Sequence, residues 1–174
     1  MGYRTDIMSR VFRKILVPHD FSAHADRALG LAVELAAGAR GRLLVLHAVP
    51  EVPPVVGAPP LEPAPVYTPI IPPPEVLSKD RERLEKVVKR AIGRRTVRGE
   101  VRVVTGGAVE RILEAARGTT AIVMGTIGRG GLAKLLLGSV AESVVRQAPV
   151  PVLTLRAGAH SPAGRRKSRK SARR

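Results

Sequence analysis

The chain alternates between short runs of consecutive apolar residues and longer stretches in which apolar residues recur every three or four positions. Lys14-Ile15-Leu16-Val17 is the first run. It is too short for a helix, contains β-branched residues and is stopped by Pro18, so it predicts a buried strand. From Ser22 the spacing changes: Ala25, Ala28, Leu29, Ala32, Leu35 and Ala36 share one helical face, with Ser22 as N-cap and Gly38 as the stop. Leu43-Leu44-Val45-Leu46 predicts a second buried strand. Leu77, Leu84, Val87, Val88 and Ala91 then mark a more polar helix, whose wet side pairs Glu82 with Lys86 and Glu85 with Lys89. Val97, Gly99, Val101 and Val103 alternate as strand three, and Val109, Ile112, Leu113 and Ala116 give a short helix closed by Gly118. Ala121-Ile122-Val123-Met124 and Val152-Leu153-Thr154-Leu155 predict strands four and five. Continuous apolar strands alternating with amphipathic helices are the sequence form of an α/β fold, a parallel sheet covered on both faces.

At 174 residues the chain has room for one ordinary domain plus tails. We expect a flexible N-terminus over residues 1–11, a domain over 12–157 and a disordered tail over 158–174. Eleven of the fifteen prolines fall between Pro50 and Pro74, a window that cannot form a helix or a central strand because proline removes backbone donors and fixes φ. A Pro-rich exposed loop at 50–75 is the plainer reading, and a proline-motif docking site the alternative. The formal net charge of +16 suggests an anionic partner, but seven of those positive charges lie in residues 165–174; sixteen less seven leaves +9 for the rest. The tail therefore predicts solubility or a weak, non-specific and salt-sensitive contact with nucleic acid. With Tyr3, Phe12, Phe21 and Tyr67 as the whole aromatic complement, no stacking platform for single strands can be assembled. Cysteine is absent, which excludes disulfides, thiolate catalysis and cysteine-ligated zinc. No apolar run reaches 18 residues, and no secretory signal is evident, so a cytoplasmic protein without a membrane span is expected.

Between strands four and five the chain reads Gly125-Thr126-Ile127-Gly128-Arg129-Gly130-Gly131, then Gly138-Ser139-Val140-Ala141-Glu142. Backbone amides converge on an anion most readily where glycines leave φ free and no side chain intervenes. Ser139 with Glu142 has the S-x-x-E form of a capping box, so a helix is expected to start at Ser139 and to aim its amides and partial positive charge at the loop. The bland alternative is a glycine-rich turn before an ordinary capped helix. Context favours a ligand, because the loop leaves the C-terminal end of a buried strand, where open parallel sheets bind. Neither the P-loop nor the G-x-G-x-x-G signature is present.

These residues resemble the universal stress protein family over roughly Phe12 to Arg156. The resemblance rests on Lys14-Ile15-Leu16-Val17-Pro18-His19-Asp20-Phe21-Ser22, Leu46-His47-Ala48-Val49 and Gly138-Ser139-Val140-Ala141-Glu142. The ATP-binding branch of that family has the motif G-x2-G-x9-G-[ST], which Gly125, Gly128, Gly138 and Ser139 match position for position. The resemblance implies a Rossmann-like domain with an open five-stranded parallel sheet ordered 3-2-1-4-5, and ATP, with or without Mg2+, between strands one and four. It implies that Asp20 holds the adenosine end beside Pro18 and Met124 at the strand ends, that the Ala48 backbone contacts the base, and that Gly125 contacts the ribose. Gly128, Gly138, Ser139 and Val140 would surround the phosphates. Arg129 and Lys134 are further candidate phosphate contacts, although basic loop residues are commonly just solvated. It also implies a homodimer paired through strand five. Two departures from the commoner family pattern, Ile127 for a frequent histidine and Thr120-Ala121 for an acidic residue before strand four, are expected to remove polar groups near the site and to weaken hydrolysis without affecting binding.

No metal ligand and no positioned base and nucleophile are evident: His19, His24 and His47 lack H-x3-H or H-E-x2-H spacing, and the capping box accounts for Glu142. The leading expectation is an ATP-binding stress-response or signalling protein that works through nucleotide-dependent conformation or partner binding. A slow ATP hydrolase and a nucleotide-independent interaction scaffold are the alternatives.

Overall fold

The computed structural model describes residue 7 and residues 9–51, 72–126 and 137–156. Five strands, β1 (Lys14–Pro18), β2 (Arg42–Val49), β3 (Arg98–Thr105), β4 (Ala121–Gly125) and β5 (Val152–Leu155), alternate with four helices. The helices are α1 (Ala23–Gly38), α2 (Pro74–Ile92), α3 (Ala108–Ala116) and α4 (Ser139–Gln147). The strands form one parallel sheet in the order β3-β2-β1-β4-β5, as the resemblance implied. Right-handed crossovers dictate where the helices go. Steps from β1 to β2 to β3 move one way across the sheet and place α1 and α2 on one face. The jump from β3 back over β1 to β4 reverses direction and places α3 and α4 on the other.

Side-chain alternation sorts the core accordingly. Ile15, Val17, Leu43, Val45 and Val123 pack with Ala28, Leu29, Ala32, Leu84 and Val88 of α1 and α2. Leu16, Leu44, Leu46, Ile122 and Met124 pack with Ile112, Ala116, Ala141 and Val144 of α3 and α4. Every strand of the centre is therefore apolar on both sides, which is why these strands read as unbroken runs.

Local chemistry sets the ends. The Ser22 side chain accepts from the Ala25 amide at 3.2 Å, the cap that the sequence predicts. Pro74 is not a barrier to α2 but its first residue, because a first-turn amide has no intrahelical partner and a fixed φ costs nothing there. The expected loop at 50–75 thus gives way to helix at Pro74; most of its remainder, residues 52–71, lies outside the described residues. So do residues 1–6 and 157–174, on which most of the terminal expectations fall, whereas Ser9–Val11 form a helical turn. On the wet side of α2 the ion pair formed is Arg81 with Glu85 at 3.1 Å, one turn apart.

Thr120 corrects one expectation. Its hydroxyl accepts from the Lys14 amide at 2.9 Å, and its own amide donates to the Lys14 carbonyl at 2.8 Å, so it latches the start of β4 to the start of β1. Thr120 and Ala121 therefore stand at the opposite edge of the sheet from the C-terminal strand ends. An acidic residue there would not have been a polar group of the crevice.

Candidate functional site

The sheet opens where strand order reverses. β1 pairs with β2 over five residues, from Lys14 with Arg42 to Pro18 with Leu46, but with β4 over only two, Ile15 with Ala121 and Leu16 with Ile122. Beyond Leu16 and Ile122 no further residues of the two central strands are paired, and Pro18 and Met124 flank the crevice expected between their C-terminal ends. This is the switch point at which parallel sheets receive ligands.

Backbone orientation equips the two sides. In a strand, successive residues turn their amide and carbonyl to opposite neighbours. The Leu46 carbonyl accepts from the His19 amide at 2.8 Å, so Leu46 faces β1. Ala48, two residues on, faces the same way but lies past the end of β1, and its backbone is presented to the crevice. On the other side the Ile122 and Thr126 amides donate to Pro151 and Leu155 across the β5 ladder, each at 2.9 Å. Gly125 between them therefore turns its backbone toward β1.

A Cβ added to Gly125 would lie 2.9 Å from the His24 Cβ and 3.1 Å from its carbonyl carbon. The first turn of α1 rests on this glycine, so packing demands it whether or not a ligand is bound. Helix packing thus adds a second reason for glycine here to the ligand access that the sequence suggests.

The third wall is the start of α4. Its N-cap is Gly138, with φ −75° and ψ 156°, and no side chain caps it. This corrects the predicted capping box: Ser139 is the first helical residue, one position too late to cap, and Glu142 reaches forward to Arg146 at 3.1 Å. Among the described residues, the first-turn amides of Ser139, Val140 and Ala141 therefore have neither intrahelical nor side-chain acceptors, an arrangement that suits an anion. The Gly138 amide donates to the Thr126 carbonyl at 2.6 Å and fastens this helix start to the end of β4. Gly128, Arg129, Lys134 and Ile127 lie outside the described residues.

Two polar atoms missed by sequence reasoning border the crevice. The Thr126 hydroxyl is buried, on a residue only 2 % exposed, and has no hydrogen-bond partner among the described residues; neither has His24 Nε2. A buried unsatisfied polar group costs about 1–3 kcal/mol, which a ligand group bonded there would recover. Their position immediately around Gly125 was the available signal. An orphaned hydroxyl beside uncapped helix amides fits a polyoxygen anion such as a nucleotide phosphate.

The remaining wall is the loop from His19 to Ser22. His19 is buried; its Nδ1 accepts from the Phe21 amide at 3.1 Å and its Nε2 lies 3.2 Å from Asp26 Oδ1. The next side chain repeats the pattern, Asp20 Oδ1 accepting from the Ser22 amide at 3.0 Å. Phe21 between them adopts a left-handed φ of 63°, a conformation that costs a bulky residue about 1–2 kcal/mol. Its ring compensates by lying 4.6 Å from the His47 ring, with the Arg83 guanidinium 4.1 Å above its face. Asp20, half-buried, is thereby held at the mouth of the crevice.

Burial pushes the His19 ring below the ordinary histidine value, and the nearby carboxylates of Asp26 and Asp20 only partly offset it. The unfolded chain then takes up this proton at higher pH than the folded one. Stability should therefore be full above about pH 6.5, fall as pH drops through the interval between the unfolded and folded values, and level off below it. Urea unfolding of wild type and His19→Asn across that interval should give a difference that changes with pH in this direction.

The family model described as the universal stress protein family matches residues 12–156. A universal stress protein from Thermus aquaticus is 40% identical over 149 residues, covering 84% of this chain and 100% of that one. A solved universal-stress-family protein from Burkholderia pseudomallei is 32% identical, with a TM-score of 0.57 over 84% of this chain and 98% of its own. The universal stress protein from Archaeoglobus fulgidus in complex with dAMP is similar in fold, with a TM-score of 0.58 at 23% identity, over 83% and 98% of the two chains. A match over the whole α/β domain, together with the sheet order and the crevice, makes the assignment plain: the chain belongs to the universal stress protein family.

Proposed function

We propose that the crevice between β1 and β4 binds an adenine nucleotide, ATP in the first instance, and that the protein signals through a nucleotide-dependent change of conformation or partner. The observation that carries this reading is the convergence of three kinds of backbone donor and acceptor on one gap: the Ala48 overhang, the Gly125 turn and the uncapped start of α4. The Ala48 backbone suits the edge of the base, and Asp20 with Gly125 suits the ribose beside Pro18 and Met124. Gly138, Ser139 and Val140, with Gly128 and Arg129 of the glycine loop, suit the phosphates. The dAMP complex of the Archaeoglobus fulgidus protein supports the adenine class. The nucleotide, with or without Mg2+, supplies the charge whose presence or loss is the signal; the chain's own groups hold it. A homodimer paired along β5 completes the proposal, since Leu153 on that edge strand is 40% exposed. The cytoplasm is the compartment that supplies ATP.

The test is chromatography of nucleotide released from the denatured protein. With no tryptophan and two tyrosines, the chain absorbs weakly at 280 nm, so a retained nucleotide should stand out as excess absorbance at 260 nm. Absence of both retained nucleotide and calorimetric ATP binding would sink the proposal, and a monomer by light scattering would remove its dimer.

A further inference from the structure

Between a sheet bond from the His19 amide to the Leu46 carbonyl and a helix bond to the Ser22 carbonyl, the loop that carries Asp20 is held by side chains. His19 accepts from the amide two residues on, Asp20 does the same, and Ser22 takes the Ala25 amide. The first of these bonds differs from the others in one respect: its acceptor is an imidazole, the side chain whose charge ordinarily changes between pH 5 and 8. A peptide N–H can only donate, so His19 Nδ1 must be unprotonated and the ring proton must sit on Nε2, directed at Asp26. Protonating Nδ1 would set two N–H donors against each other at 3.1 Å and abolish the bond that holds Phe21 in its left-handed conformation.

We propose that His19 is a positioning residue and an acid switch: its neutral ring pins the 19–22 loop and with it Asp20 in the ligand-receiving arrangement, and protonation releases them. The groups facing His19 agree with this assignment. Asp26 comes from α1, Asp20 from the loop itself and His47 from β2, while from α2 Asp80 faces His47 and Arg83 covers the Phe21 ring. His47 is the other titratable ring, but its Nδ1 donates to the His19 carbonyl at 2.7 Å, and its Nε2 lies 3.7 Å from Asp80. A proton added to His47 Nε2 strengthens the attraction to Asp80 and breaks none of these bonds. Only the His19 proton undoes the loop. Desolvation places that event on the acid side of neutrality.

The inference rests on the nucleotide reading for its consequence but not for its test. In the free protein, the Phe21 amide and the His19 ring nitrogens should shift together in NMR spectra, with one midpoint, as pH falls from about 7.5 to about 5. In the loaded protein, calorimetric ATP affinity should fall by about tenfold or more over the same range, the loss of one well-made hydrogen bond and its loop order. His19→Asn keeps an acceptor for the amide two residues on, as asparagine does in Asx-turns, and cannot titrate. It should bind ATP with a pH dependence reduced to that of the nucleotide's own phosphates, while His19→Ala should bind weakly at both ends. A Phe21 amide that stays in place while His19 titrates, or a His19→Asn protein with the wild-type pH dependence, would overturn the proposal. If ATP binds at no pH, the nucleotide reading fails, and the free-protein titration still decides the switch.

Discussion

Gly138→Asp should lower ATP affinity by about a hundredfold or more while leaving the fold at least as stable as wild type. Gly138 is the N-cap of α4 in an extended conformation open to any residue, and aspartate is among the best caps. Replacing glycine there gains a few tenths of a kcal/mol, and the negative charge suits the helix start. The same carboxylate would accept from the first-turn amides that the phosphates need and would repel them at close range. One pair of unit charges 4 Å apart at a protein surface is worth about 4 kcal/mol, so even a heavily screened repulsion costs two orders of magnitude in affinity. Calorimetry with ATP alongside thermal unfolding separates the two effects. Unaltered affinity would mean that the phosphates do not lie at the start of α4.

The second large effect is the reverse case, a loss of stability without a direct touch on the crevice. Leu16 lies on the middle strand, fully buried between Leu44, Ile122 and Met124 and the helices α3 and α4. Leu16→Ala should cost about 2–5 kcal/mol, the lost transfer energy plus the cavity, since neighbours on both sides are strands fixed by their ladders and cannot close in. Against a total of roughly 5–15 kcal/mol for a domain, that is a shift of about 10 °C in the unfolding midpoint. Denaturant or thermal unfolding measures it directly. A cost under about 1 kcal/mol would mean that the sheet centre is more compliant than its close packing implies.

How much of this was legible in the sequence follows from where the signals are strong. Leu43 to Leu46 is an unbroken apolar run and was readable as a strand. β2, however, continues through His47, Ala48 and Val49, where a histidine and an alanine break the run. Those three residues are the overhang on which the proposal seats the base; the resemblance, not the pattern, brings Ala48 in. The capping box failed for a similar reason. S-x-x-E fixes a spacing, but whether Ser139 or Gly138 takes the cap depends on backbone angles that the spacing does not contain. For Gly125 the sequence suggests ligand access but not the packing reason, because the helix lying on it comes from the other end of the sequence. His19 was readable only as a histidine without metal-ligand spacing. Its role depends on which ring nitrogen faces the Phe21 amide, and no linear pattern encodes a tautomer.

The overhang of β2 also determines how the crevice could change over generations. A base held by main-chain groups is indifferent to the side chain at position 48, so point substitutions there should drift without consequence. Deleting one residue between Leu43 and Ala48 is another matter. It would turn each following peptide to the other neighbour and present the crevice with a different set of donors and acceptors. On the proposed binding mode, the feature that this wall depends on is the length and register of the strand rather than the side chains along it.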